Sequence, residues 1–169
     1  IKTILGQRDD VLLELLYSTG LRASELINIK IDDLDLDAGF LKVMGKGSKE
    51  RIIPIHSGIS QKIKNYIVTT RKHFRNHENL PWLFFDKNNK NLSRIGLFKI
   101  IQRYAKKLNI EITPHTLRHT FATHLIQNGA DVRSVQEMLG HSSINTTEIY
   151  THLNSETLKR EHSKHPLYK

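Results

Sequence analysis

The chain has 169 residues, 38% of them hydrophobic, enough for one domain with a core of its own. It holds no cysteine, which excludes disulfides and thiolate zinc sites and fits a reducing, cytoplasmic compartment. No apolar run approaches the ~20 residues a bilayer needs, Ile1 to Arg8 lack a signal pattern, and Lys plus Arg exceed Asp plus Glu by 26 to 17, a net charge of +9 that suits a polyanion as well as an ordinary solvated surface.

Asp9 to Thr19 carries Leu12, Leu15 and Leu16 at helical spacing and stops at Gly20, a natural residue to follow a helix. A second short helix is expected over Ala23 to Ile29. Phe40 to Met44 and Arg51 to Ile55 are short β-prone runs on either side of Gly45-Lys46-Gly47-Ser48-Lys49-Glu50, which reads as a hairpin with a glycine-loosened tip. Pro54 places the second of these strands at a sheet edge, and Leu83 to Phe85 is read as a third strand. From Ser93 the pattern turns helical, with Leu97, Phe98, Ile101, Tyr104, Ala105 and Leu108 on one face and Lys99, Arg103, Lys106 and Lys107 off it. Thr113 with Pro114 behind it opens a helix to about Gln127 that closes at Gly129. Asp131 caps another, whose stripe of Val132, Val135 and Leu139 ends at Gly140. Ser142 or Ser143 caps a short helix towards Tyr150, and an amphipathic segment covers Ser155 to Ser163. The fold class is α+β, mostly α-helical, with one small antiparallel sheet.

Against this frame a few residues suggest chemistry. His115 and Arg118 share a helix face within its first turns, where free N–H groups and the dipole favour an anion such as a phosphate. His119 projects about a third of a turn away from Arg118 and is expected to pack or hydrogen-bond internally. Arg22 opens the second helix, and Glu25 one turn later can hold its guanidinium in one orientation; the plainer alternative is a surface ion pair worth roughly 0.5 kcal/mol or less. Lys46 taken singly is an ordinary turn lysine, and His115 taken singly an ordinary structural histidine. Tyr150 follows His141 and the short helix, and a tyrosine hydroxyl becomes a useful nucleophile only with cationic neighbours or a base to assist it. Tyr17, Tyr66 and Tyr104 fall on or near apolar faces and read as core, while Tyr168 is expected to be too mobile for in-line attack. A tyrosine, two arginines, a lysine and two histidines in a strongly basic chain suit attack on a phosphodiester without a metal.

These segments resemble the catalytic domain of the tyrosine recombinases, the phage integrase family, and among them the Xer branch. Thr19-Gly20-Leu21-Arg22-Ala23-Ser24-Glu25-Leu26 is similar to the segment around the family's first arginine, and Gly45-Lys46-Gly47-Ser48-Lys49-Glu50-Arg51 to its lysine hairpin. Thr113-Pro114-His115-Thr116-Leu117-Arg118-His119 matches its histidine and second arginine, Leu139-Gly140-His141-Ser142 its last histidine, and Ile149-Tyr150-Thr151-His152 its nucleophile box. Order and spacing are kept through nearly the whole chain, which makes the match far more specific than any one motif.

The resemblance implies a site-specific recombinase in which Tyr150 attacks the scissile phosphorus to give a 3′-phosphotyrosyl link and a free 5′ hydroxyl. Arg22 and Arg118 would hold the non-bridging oxygens, Lys46 protonate the leaving oxygen, His115 assist proton removal from Tyr150, and His141 donate to the phosphate, with Glu25 and His119 in support and no metal or cofactor. The implied partners are double-stranded DNA, further recombinase subunits in a tetrameric synapse with exchange of the C-terminal segment (Asn154 to Lys169), and room is left for an activating protein; membrane insertion is not expected. The implied setting is the nucleoid-bearing cytoplasm, and the implied biology is Xer-like chromosome-dimer resolution or mobile-element integration and excision. Residues 1–169 then form the catalytic domain, and the family's N-terminal core-binding domain is expected to lie outside this chain. A DNA-binding regulator that had lost catalysis would lack one of Arg22, Lys46, Arg118 or Tyr150, and all are present. A type IB topoisomerase would share the tyrosine chemistry but relax supercoils as a monomer. A metal-dependent nuclease, suggested by the ten histidines, lacks a carboxylate cluster beside them.

Overall fold

The computed structural model describes residues 3–45, 50–75, 77–140 and 152–168. Thr3 opens helix α1 (Ile4–Thr19), accepting the Gly6 N–H at 3.0 Å, and Gly20 closes it in the left-handed conformation with φ 61°. The helix begins five residues before Asp9, where the sequence pattern starts it. Its second turn is tied down by polar contacts: Arg8 donates to Asp9 and, at 2.7 Å, to the Phe85 carbonyl, while Arg103 and Tyr104 from helix α4 (Arg94–Leu108) reach the other Asp9 oxygen. Helix α2 (Ala23–Ile27) follows at once.

The sheet has three antiparallel strands in the order β1 (Leu34–Asp35), β2 (Phe40–Met44), β3 (Glu50–Pro54), so Pro54 does sit on an edge strand. Val43 pairs with Arg51 and Leu41 with Ile53, which turns Leu41, Val43, Arg51 and Ile53 to the buried face. The expected third strand at Leu83 to Phe85 is not part of this ladder; Leu34–Asp35 takes its place. Leu83, Phe84 and Phe85 are instead a buried plug held by single bridges, with the Leu83 carbonyl bonded to Tyr66 Oη and that of Phe85 to Arg8. Side chains satisfy two of their carbonyls and the Ile29 carbonyl accepts the Leu83 N–H, so no neighbouring strand is required.

Helix α3 (Ser57–Asn65), not expected from the sequence, packs beside α1. In α4 the buried face is Leu97, Ile100, Ile101 and Ala105, and the expected members Phe98 and Leu108 are exposed instead. Helix α5 (Pro114–Gln127) starts as its sequence predicts: the Thr113 hydroxyl accepts the Thr116 N–H at 3.1 Å with Pro114 at the first helical position. Helix α6 (Val132–Leu139) is capped by Asp131 and closed by Gly140 at φ 68°. Its inner face is Ser134, Val135, Met138 and Leu139, with Val132 turned out.

Two apolar clusters result. One joins α1 to α4 and the sheet; the other consists of Phe121, Leu125, Ala130, Val135, Met138, Leu139 and Leu158. Helix α7 (His152–His162) lies on α6 and β3 and anchors there through Leu158, Glu161 and His162. Tyr168 is not loose: its ring stacks on His56 with centroids 4.0 Å apart. Tyr66 is buried as expected, and the half-buried Tyr17 and Tyr104 engage His124 and Asp9.

Candidate functional site

The end of α1, the start of α2, the body of α5 and the end of α6 meet where the two clusters join. Gly20 makes the meeting possible, because its Cα faces the Phe121 ring and the Leu139 side chain with no room for a further carbon. Directly after it the chain is extended at Arg22, which serves as the N-cap of α2.

Three guanidiniums converge on the last turn of α6, each donating to one of three successive carbonyls. Arg51 Nε donates to Met138 O at 2.9 Å, Arg118 to Leu139 O at 2.6 Å, and Arg22 to Gly140 O at 3.5 Å. Arg118 also donates to Gly20 O at 2.5 Å. These carbonyls lack partners inside their own helix and lie at its negative dipole end, so they draw together cations that would otherwise repel.

Among the described residues Glu25 supplies the only carboxylate in contact with this cluster. It accepts from Arg22 Nη1 and N at 2.9 and 2.7 Å and from both Nη atoms of Arg51 at 2.9 Å. With its side chain only 6% exposed, the Arg22–Glu25 contact is no loose surface pair. Burial pushes the Glu25 carboxyl up, but the hydrogen bonds from Arg51 and Arg22 and the charge of Arg51 outweigh it and hold the group below its ordinary value. Arg118 is also lowered, to about 10, through burial first and then repulsion by Arg22 and Arg51, partly offset by Glu25. It remains charged at neutral pH. Three cations and one anion leave the cluster with an excess of positive charge suited to an anion with two equivalent oxygens, such as the non-bridging pair of a phosphodiester.

The expected residues therefore divide. Arg22, Glu25 and Arg118 come together. His115, in the first turn of α5, is exposed one turn before Arg118. His119 does not pack in the core but lies exposed, and of the two expected alternatives it makes the hydrogen bond, with Thr123 Oγ1 3.5 Å from its Nε2, because its position on α5 points away from the core face occupied by Phe121 and Leu125. Lys46, His141, Tyr150 and the short helix expected from Ser142 or Ser143 lie outside the described residues. Met44 and Glu50, on either side of the segment that carries Lys46, form the last pair of the β2–β3 ladder.

The residue missed by reading the sequence is Arg51, 5% exposed and donating through Nε and both Nη atoms. Its signal was its place opposite Val43 on an inward-facing strand position, where a charge needs a buried partner. Among the described residues no group of three or more His, Asp or Glu is arranged to hold a metal, and no helix is long and apolar enough to cross a membrane.

A mostly helical α+β domain with a three-stranded antiparallel sheet and paired arginines gathered at a helix end is the architecture of an integrase-type catalytic domain, and the phage integrase family model matches residues 2–157. The chain belongs to the phage integrase family. Among curated relatives it is similar to tyrosine recombinase XerD of Staphylococcus saprophyticus, 49% identical over 166 residues, covering 96% of this chain and 56% of that protein. It is also similar to XerD of Staphylococcus aureus, 45% identical over 169 residues, covering 98% and 57%. The chain thus spans little more than half the length of these relatives. Among solved structures it resembles XerA recombinase, with a TM-score of 0.70 and 31% identity over 94% of this chain and 63% of that one. It likewise resembles XerH site-specific recombinase bound to palindromic difH substrate in a post-cleavage complex, with a TM-score of 0.74 and 29% identity over 96% and 47%.

Proposed function

We propose that this chain is the catalytic domain of an Xer-like tyrosine site-specific recombinase, which cleaves and rejoins duplex DNA through a 3′-phosphotyrosyl intermediate. The observation that carries the reading is the convergence of Arg22 and Arg118 on one helix end, anchored by Glu25 and backbone carbonyls. Fixed forks of this kind stabilise charge that builds on two non-bridging oxygens as phosphorus becomes pentacoordinate. In this scheme Tyr150 attacks, His115 assists removal of its proton, Lys46 protonates the departing 5′ oxygen and His141 donates to the phosphate. Storing the bond energy in the phosphotyrosyl link lets resealing proceed without ATP.

The relatives named XerD and the DNA-bound XerH structure support DNA as substrate and chromosome-dimer resolution as the biology. The same reading assigns the segment from Asn154 onward to contacts between subunits in a tetrameric synapse, with the action set in the cytoplasm on nucleoid DNA and open to an activating protein. In the structure this segment packs on its own chain through Leu158, Glu161 and His162, so exchange would transfer those contacts to a neighbour.

Trapping on a nicked suicide duplex tests the class and the nucleophile together. The wild type should give a DNA-shifted protein band on a denaturing gel, and Tyr150→Phe should give none while still binding DNA. A band that persists in Tyr150→Phe would remove the assignment.

A further inference from the structure

Two arginines share Glu25, yet they are held very differently. All three nitrogens of Arg51 are engaged: Nη1 and Nη2 each donate to one carboxylate oxygen at 2.9 Å, and Nε donates to Met138 O at 2.9 Å. It is also buried, its side chain 5% exposed. Arg22 is half-committed. Its Nη1 meets one Glu25 oxygen, its Nη2 has only a 3.5 Å contact with Gly140 O, and its side chain is 42% exposed. A phosphate can therefore reach Arg22 and cannot reach Arg51.

We infer that Arg51 is a positioning residue, the counter-ion of Glu25, and that by occupying both carboxylate oxygens it keeps Glu25 from closing a bidentate pair with Arg22. Without Arg51, a carboxylate buried to this depth would face Arg22 alone, and the fork-to-fork arrangement is the favoured one for such a pair. Arg22 would rotate into it, and its charge and second nitrogen would be withdrawn from the substrate. Lysine cannot replace Arg51, since one ammonium cannot span two oxygens and a carbonyl in a plane.

Gly140 gives independent support. A Cβ at this position, already at φ +68°, would lie 3.1 Å from Cδ, Nε and Cζ of Arg51, so the closing glycine of α6 leaves the space in which Arg51 lies flat. Arg51 thus braces both the start of α2 and the last described residue before His141. The role rests on the phosphodiester reading of the site.

The test uses the full chain and the nicked suicide duplex under single-turnover conditions. Arg51→Met should slow covalent adduct formation by about 100-fold, the cost expected when a catalytic group is misplaced by about an ångström, while DNA affinity is retained. Arg51→Lys should be impaired in the same direction. Because Arg51 acts through Arg22, adding Arg51→Met to Arg22→Ala should cause no further loss. Should Arg51→Met fail to melt cooperatively, Arg51→Lys, which keeps a cation beside the buried carboxylate but cannot span its two oxygens, carries the same comparison. A wild-type rate in the folded variant, or losses that add in full with Arg22→Ala, would overturn the inference. A wild type that forms no adduct would instead remove the recombinase reading. Arg51 is then judged by arginine side-chain NMR with inorganic phosphate: the response of the Arg22 Nε–H should weaken in Arg51→Met, and an unchanged response would overturn it.

Discussion

Gly20 joins the fold to the site, and Gly20→Ala measures how tightly. At φ +61° an alanine sits in the left-handed region at roughly 1–2 kcal/mol, of which about 0.4–1 kcal/mol is returned by the stiffer unfolded chain. Its methyl would run into the Phe121 ring and come within 2.9 Å of Leu139 Cδ2. Both neighbours are buried and cannot step aside, and overpacking of this kind costs about 1–3 kcal/mol. The total is roughly 2–4 kcal/mol, or a melting point lowered by about 4–16 °C at ~2–4 °C per kcal/mol for a chain this long. Gly129→Ala is the matched control, since Gly129 has φ +81° but nothing within 4 Å of its added methyl. That variant should lose about 1 kcal/mol. Circular dichroism melts and urea titrations of the two variants isolate the packing contribution. Since Gly20 O also accepts from Arg118, adduct formation should slow in Gly20→Ala more than in Gly129→Ala. Equal destabilisation of the two variants would refute the packing account.

Acid should loosen the C-terminal segment. Burial holds His162 and His165 down to about 4, with the Ser18 carbonyl working against the fall at His162 and the neighbouring His162 and His124 adding to it at His165. The unfolded chain, with imidazoles near 6.5, therefore binds more protons below neutrality, so this stability is complete above about pH 6.5 and lost as pH falls towards 4. The loss reaches about 2 kcal/mol per ring at pH 5. It should appear as a falling melting point between pH 7 and 5, and a His162→Gln/His165→Leu variant with the same pH dependence would place the lability elsewhere. At the hairpin tip, Lys46→Ala should be slow on ordinary DNA and largely rescued by a 5′-bridging phosphorothiolate, whose thiolate leaves without a proton. The same substrate should rescue Arg118→Ala little; rescue of Lys49→Ala in place of Lys46→Ala would move the general acid.

Much of this was legible in the chain itself, because the signals were local. Thr113-Pro114, Asp131 and the glycines at 20 and 140 set helix ends through bonds spanning a few residues, and those ends lie where the sequence puts them. The spacing of Arg22 to Glu25 likewise announced their contact. Other features depended on partners distant in sequence. The Leu83–Phe85 run has the composition of a strand, but buried donors from Arg8 and Tyr66 take two of its carbonyls. Phe98 and Leu108 fit the apolar stripe of α4, yet the rotation of that helix is decided by what covers it, and Ile100 is turned inward instead. Arg51 is the clearest case. Ile52 and Ile53 follow it, so alternation alone leaves its face undecided; only pairing with Val43 turns it inward, and only the end of α6 and Glu25 give it partners. The sequence determined which charged groups exist and where the helices with strong local caps begin or end. Which guanidinium is spent on the fold and which is left for a phosphate was decided by tertiary packing, since burial and a shared carboxylate arise only once segments far apart in the chain have met.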